Sequence, residues 1–127
     1  MQEKHLFEYA VIRVVPRVER EEFLNVGLIL YCRGLGFLQT IYELNEQRLR
    51  AFYPDIELPE LEARLQAFKA ICAGRQHGGP IGLLPIAERF RWLTATRSTT
   101  VQTSPVHPGM CGDAQSMLHH LYEQLVK

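Results

Sequence analysis

The side chains best equipped for chemistry sit in Arg89-Phe90-Arg91-Trp92-Leu93 and in the Arg97-Ser98-Thr99-Thr100 that follows. Guanidinium groups bind phosphates and carboxylates bidentately and stack on aromatic faces, and nearby hydroxyls add donors. Arg89, Arg91, Trp92, Arg97, Ser98 and Thr99 are therefore a candidate surface for an anion or an acidic partner. The charge along the chain agrees. Between Lys69 and Met110 the bases are Lys69, Arg75, Arg89, Arg91 and Arg97, against the single acid Glu88. A purely structural reading competes with this one: Phe90, Trp92 and Leu93 pack in the core, and the arginines lay their stems across it.

Other chemistries have less to stand on. His77, His107, His119 and His120 offer bases, and Ser98, Thr99, Thr100, Thr103 and Ser104 offer hydroxyls, but no GxSxG turn presents a nucleophile. His107, Cys111, Asp113, His119 and His120 carry metal-capable groups at spacings that match no zinc pattern, and adjacent histidines on a helix point in different directions. No metal and no cofactor is expected. Cys32, Cys72 and Cys111 are odd in number and far apart. Cys32 and Cys72 read as small core hydrophobes, and Cys111 is placed in a loop. Residues 74–84, with Gly74, Gly78, Gly79, Pro80 and Gly82, lack the GKS or GKT ending of a phosphate loop and read as a flexible Gly-rich loop.

The elements that must position these residues can be taken from periodicity. A chain of 127 residues is one domain, 1–127, able to bury a core without staples. Lys and Arg total 14 and Asp and Glu 14, so the net charge is zero, which argues against a surface shaped throughout for nucleic acid or an anionic membrane. The N-terminus shows no secretory pattern and no stretch is long and apolar enough to span a bilayer, so a cytoplasmic protein is expected.

Leu24 to Cys32 is apolar on both faces and closes on Arg33-Gly34-Leu35-Gly36, which predicts a central strand and a hairpin into Phe37 to Tyr42. Leu24, Val26, Leu28, Leu30 and Cys32 are expected on one face, with Gly27, Ile29 and Tyr31 on the other. His5 to Val15 is rich in aromatic and β-branched residues and reads as a further strand stopped by Pro16. Ser98 to Ser104 reads as a fourth strand, halted by Pro105 and Pro108. Helices are expected after Asn45, over Leu58 to Ala73 with Leu61, Leu65, Phe68 and Cys72 inward, over Pro85 to Leu93, and after Asp113. The fold class is α+β: an antiparallel meander of three to four strands packed against helices, in one compact domain.

Tyr9-Ala10-Val11-Ile12-Arg13-Val14-Val15-Pro16, Glu22-Phe23-Leu24-Asn25-Val26-Gly27-Leu28-Ile29-Leu30, Arg89-Phe90-Arg91-Trp92-Leu93 with Arg97-Ser98-Thr99, and Ser104-Pro105 together resemble a bacterial family, domain of unknown function 3037 (DUF3037). The resemblance spans nearly the whole chain and brings no activity to these residues. It implies a protein partner, because members are often encoded beside a kinase-like protein similar to the kinase-type toxins of toxin–antitoxin systems. The leading functional expectation is a non-enzymatic binding or accessory module. The alternative is an enzyme or binder acting on phosphate-containing substrates such as nucleic acid through the Arg/aromatic strip. A third class is a kinase substrate with Ser98, Thr99 and Thr100, after Arg97, as acceptors.

Overall fold

Because both faces of the central apolar run must leave water, the sheet built on it is covered on both sides. The computed structural model describes residues 3–97 and 99–127, apart from the side chains of Gln76 and His77. Its strands are β1 (His5–Val14), β2 (Leu24–Cys32), β3 (Phe37–Tyr42), β4 (Val101–Thr103) and β5 (His107–Cys111). All pairings are antiparallel, in the order β3-β2-β1, and the far edge of β1 is shared: Ile12 to Val14 pair with β4, and His5 to Tyr9 with β5. The expected meander is present, with Gly36 at the positive φ of 58° that closes its hairpin.

The helices are α1 (Glu46–Phe52), α2 (Leu58–Ala73), α3 (Gly79–Gly82), α4 (Ile86–Leu93) and α5 (Ala114–Leu125). Their starts follow from local chemistry. Asn45 Oδ1 accepts the Arg48 N–H at 3.0 Å, Pro59 occupies the first turn of α2, and Asp113 accepts the Ser116 N–H at 3.2 Å. Those Ser116 hydrogen bonds hold the Asp113 carboxyl below its ordinary pKa. One sheet face buries Ile12, Val14, Ile29 and Tyr31 against Leu49, Leu61, Leu65, Phe68, Phe90 and Leu93. The other buries Phe7, Val11, Leu28, Leu30 and Cys32 against Ala114, Leu118 and Tyr122 of α5.

Five expectations need correcting. The strand foreseen over Ser98 to Ser104 is confined to β4, with Ser98 outside the described residues. β5 was not expected, because Pro108 reads as a breaker; on an edge strand, however, the outer side needs no donor, so proline is tolerated. Cys111, placed in a loop, closes β5 and is buried. Nor do the even residues of β2 share one face. The register passes from Ile12↔Gly27 to Arg13↔Asn25, so Val26 is an extra residue in a bulge. The bulge reverses the alternation and turns Val26 toward the side of Ile29 and Tyr31. In the stretch 74–84, read as a loop, the chain forms a 3-10 turn at Arg75–Gly78 and then α3.

Between β4 and β5 the ladder is carried by one serine. The Ser104 N–H donates to the Val11 carbonyl at 2.8 Å, and its Oγ accepts the Val11 N–H at 2.9 Å. Both backbone groups of Val11 are thereby satisfied where the edge strand is interrupted.

Candidate functional site

The turn of α4 decides what its arginines can reach. Phe90 and Leu93 are buried in the core, and a step of 100° per residue puts Arg89 and Arg91 on opposite flanks. Arg89 points to the C-terminal end of α2. Its Nη1 donates to the Ile71 and Cys72 carbonyls at 2.9 and 2.8 Å, and its Nε to the Leu84 carbonyl at 3.0 Å. The Ile71 and Cys72 carbonyls are orphans at the negative end of the α2 dipole, so the guanidinium is held by charge as well as geometry. Gly74 permits the approach. Its φ of 80° and ψ of −171° suit glycine alone, and a Cβ there would lie 3.0 Å from Arg89 Nη1.

Arg97 is engaged in the same way at the end of α4. Nη1 donates to the Leu93 carbonyl at 2.9 Å, Nη2 donates to the Trp92 carbonyl, and the guanidinium lies 4.5 Å from the centre of the Trp92 ring. Burial draws its pKa below the ordinary arginine value. The Thr99 hydroxyl donates to the Val101 carbonyl at 2.8 Å. α5 repeats the device, with Arg48 Nη1 on the Val126 carbonyl and Asn25 Nδ2 on the Leu125 carbonyl. The charge excess read along the chain is thus not one surface: Arg89, Trp92, Arg97 and Thr99 knit helix ends and the start of β4.

Arg91 faces the other flank and lines a cleft of about 920 Å³ over the beginning of β1. Lys4 and His5 enter from that strand's start, Arg33 from the turn between β2 and β3, and Ile86 and Ala87 from α4. Tyr31 is a buried floor residue whose ring stacks on Phe90 at 5.1 Å. Among the described residues Lys4, Arg33 and Arg91 make no ion pair, whereas Arg17, Arg20, Arg50, Arg64 and Lys127 each face a glutamate. Glu8 is the one carboxylate lining the cleft. Three cations converging on a partly apolar hollow make a site for an anionic group attached to something apolar.

Of these residues the sequence singled out only Arg91. Lys4 and Arg33 are far from it in the chain, and strand pairing alone brings them together. Nothing in composition or spacing marks them; the cue is structural, the exposed Leu6 of β1 lining the same cleft as Ile86 and Ala87 of α4.

The remaining polar cluster divides: Cys111, Asp113 and His120 line one open hollow, which His107 and His119 do not. His107 packs on Tyr9 at 5.4 Å between rings, Asp113 caps α5, and His119 lies 3.0 Å from the Gln115 amide. Among the described residues no three His, Cys, Asp or Glu side chains gather at metal-binding distance, and no helix is long and apolar enough to cross a membrane.

Residues 9–126 match one protein-family model, described as a protein of unknown function (DUF3037). No curated protein and no solved structure matches the chain.

Proposed function

The chain belongs to the DUF3037 family, a membership that carries no activity with it, and we propose from the cleft that the domain is a non-enzymatic binding module for an acidic protein partner. The observation that carries this reading is the convergence of Lys4, Arg33 and Arg91, from three separate parts of the chain, without a carboxylate partner among the described residues. Solvated cations that make no ion pair and outnumber the carboxylate beside them attract an acidic surface, speed its arrival and orient it. The kinase-like neighbour implied by the family resemblance, in a bacterial cytoplasm, is the first partner to try.

A phosphate-bearing ligand such as nucleic acid is the second reading, since guanidinium groups serve both. It is weaker on geometry, because Arg89, Arg97 and Trp92 do not line the cleft with Arg91. As for acceptors, Ser98 lies outside the described residues and the Thr99 hydroxyl is engaged with Val101.

Fluorescence anisotropy of a labelled Glu/Asp-rich peptide and of single-stranded and duplex oligonucleotides, at low and moderate salt, tests the reading. The wild type is expected to bind the acidic peptide in a salt-dependent way, and the double variant Arg33→Glu/Arg91→Glu to lose it. Equal binding by both proteins removes the cleft from consideration. Preference for oligonucleotides moves the assignment to a phosphate ligand.

A further inference from the structure

The two faces of the same pair of strands are treated differently. Where β1 pairs with β5, the face toward α5 buries Phe7 and Cys111, which are 4% and 3% exposed. On the opposite face Leu6 is 59% exposed and Met110 53%. Leu6 and Met110 are direct cross-strand partners, so their side chains stand together on one side of the sheet. The next pair on that side is the half-buried Glu8 and the exposed Pro108. α2 and α4 cover β2, β3 and the Ile12 to Val14 end of β1, and the helical layer stops there. Beyond α4 lies the 920 Å³ cleft, with Leu6 as part of its floor and Ile86, Ala87 and Arg91 along its wall.

We propose that this slot receives an amphipathic helix of the partner protein, its apolar stripe on Leu6 and Met110 and its acidic residues on Lys4, Arg33 and Arg91. The proposal rests on the acidic-partner reading and names the form of that partner. A helix is the element that a sheet face beside another helix accepts, since helices pack side by side at about 8–10 Å and bury apolar residues recurring at every third or fourth position. Addition of a strand to the free edge of β5 fits less well, because Pro108 deprives that edge strand of a backbone donor. Charge chooses among helices. The rim has three cations with no ion pair among the described residues, and the one carboxylate, Glu8, sits on the floor. A basic helix would meet like charge there, and a helix with acidic flanks would meet complementary charge.

The test uses the full chain and three labelled synthetic peptides. One carries leucines at helical spacing with glutamates on both flanks. The second has the same composition with the order scrambled so that no stripe remains, and the third keeps the stripe with lysines in place of the glutamates. Anisotropy is measured for wild type, for Leu6→Ser/Met110→Ser, and for Arg33→Glu/Arg91→Glu, all at solvent-exposed positions, and circular dichroism checks each fold. The striped acidic peptide is expected to bind about tenfold or more tightly than the scramble, and to lose about tenfold or more in each double variant. Amide shifts on titration should fall on β1, β5 and α4.

Equal affinity for the striped and scrambled acidic peptides, with loss only on charge reversal, overturns the helix while the acidic-partner reading stands. Failure of every acidic peptide to bind, or binding indifferent to charge reversal, overturns both. Tighter binding of the lysine peptide or of an oligonucleotide also overturns it. So does a concentration-dependent dimer that Leu6→Ser/Met110→Ser dissolves, because the occupant is then a second copy.

Discussion

Arg89 and Arg91 leave the same short helix two residues apart and meet opposite surroundings. Arg89 is walled in by carbonyls of α2 and of the Leu84 turn, with Gly74 cleared to admit it. Arg91 stands over an open cleft with Lys4 and Arg33, and no acid pairs with it among the described residues. The same cationic group therefore serves as a fastening on one flank and as an unmatched charge on the other. What separates them is the number of acceptors each has inside the protein. A cation already surrounded by carbonyls has little left to offer a ligand, and a cation held up without them has nearly all of it.

The contrast can be broken most forcefully at Arg89. Arg89→Met strands three carbonyls and is expected to lower stability by about 2–4 kcal/mol, since a hydrogen bond to a charged group contributes roughly 1.5–3 kcal/mol. Arg91→Met should stay within about 0.5 kcal/mol of wild type, as surface changes do. Urea melts of the pair decide it, and equal costs would erase the distinction between the two flanks.

Gly74→Ala attacks the same fastening from its other side. A Cβ at that backbone geometry, pressed toward the guanidinium, is expected to cost about 1–3 kcal/mol in thermal or urea melts. An unchanged melt would show that Arg89 does not depend on the glycine.

Arg97→Ala should cost less, about 1 kcal/mol, because its bonds to α4 are partly open to water. It offers an optical readout: Trp92 is the only tryptophan, and losing the stacked guanidinium should increase its quenching by acrylamide. Unaltered quenching would mean that the stack does not persist in solution.

The smallest effect is a slope with pH. Burial pushes the Cys72 thiol up to about 11, opposed by its contact with the Thr40 hydroxyl at 3.0 Å and by the Arg89 charge. From the ordinary thiol value of 9.0 up to about 11, the unfolded chain gives up a proton that the folded chain keeps. The stability contribution is thus complete below the ordinary value and declines as pH rises through that window. Tyr42 and Tyr122, both pushed up to about 12 chiefly by burial, act in the same direction. The Cys72 share is therefore read as the difference in slope between wild type and Cys72→Ala. That difference should extend to higher pH in Arg89→Met, where the opposing charge is gone.

Sequence made the fold legible wherever the cause was local. Asn45, Pro59 and Asp113 act within a turn of themselves, so the helix starts were readable. The alternation in β1 to β3 was long enough to fix their spans, although the bulge at Val26 reverses a face and leaves no mark on composition. Pro108 hid β5 because a breaker and an edge residue look alike until the neighbouring strand is known. The site was least legible. Arg89, Arg91 and Arg97 are neighbours in the chain, but α4 turns them apart, and the charges that do meet come from the two ends of β1–β2 and from α4.

The serine that bridges the interrupted edge has a consequence for how the chain is made. Val11 and Ser104 are 93 positions apart, and β1 takes its edge partners, β4 and β5, from near the end of the chain. During synthesis β1 can pair with β2 at once, but its other edge, and the apolar face that α5 later covers, must wait until residues 101–126 have left the ribosome. Such long-range closure slows folding and leaves the nascent hairpin open to aggregation. Until α5 arrives, a young copy of this protein therefore carries an apolar face that its own chain has not yet covered.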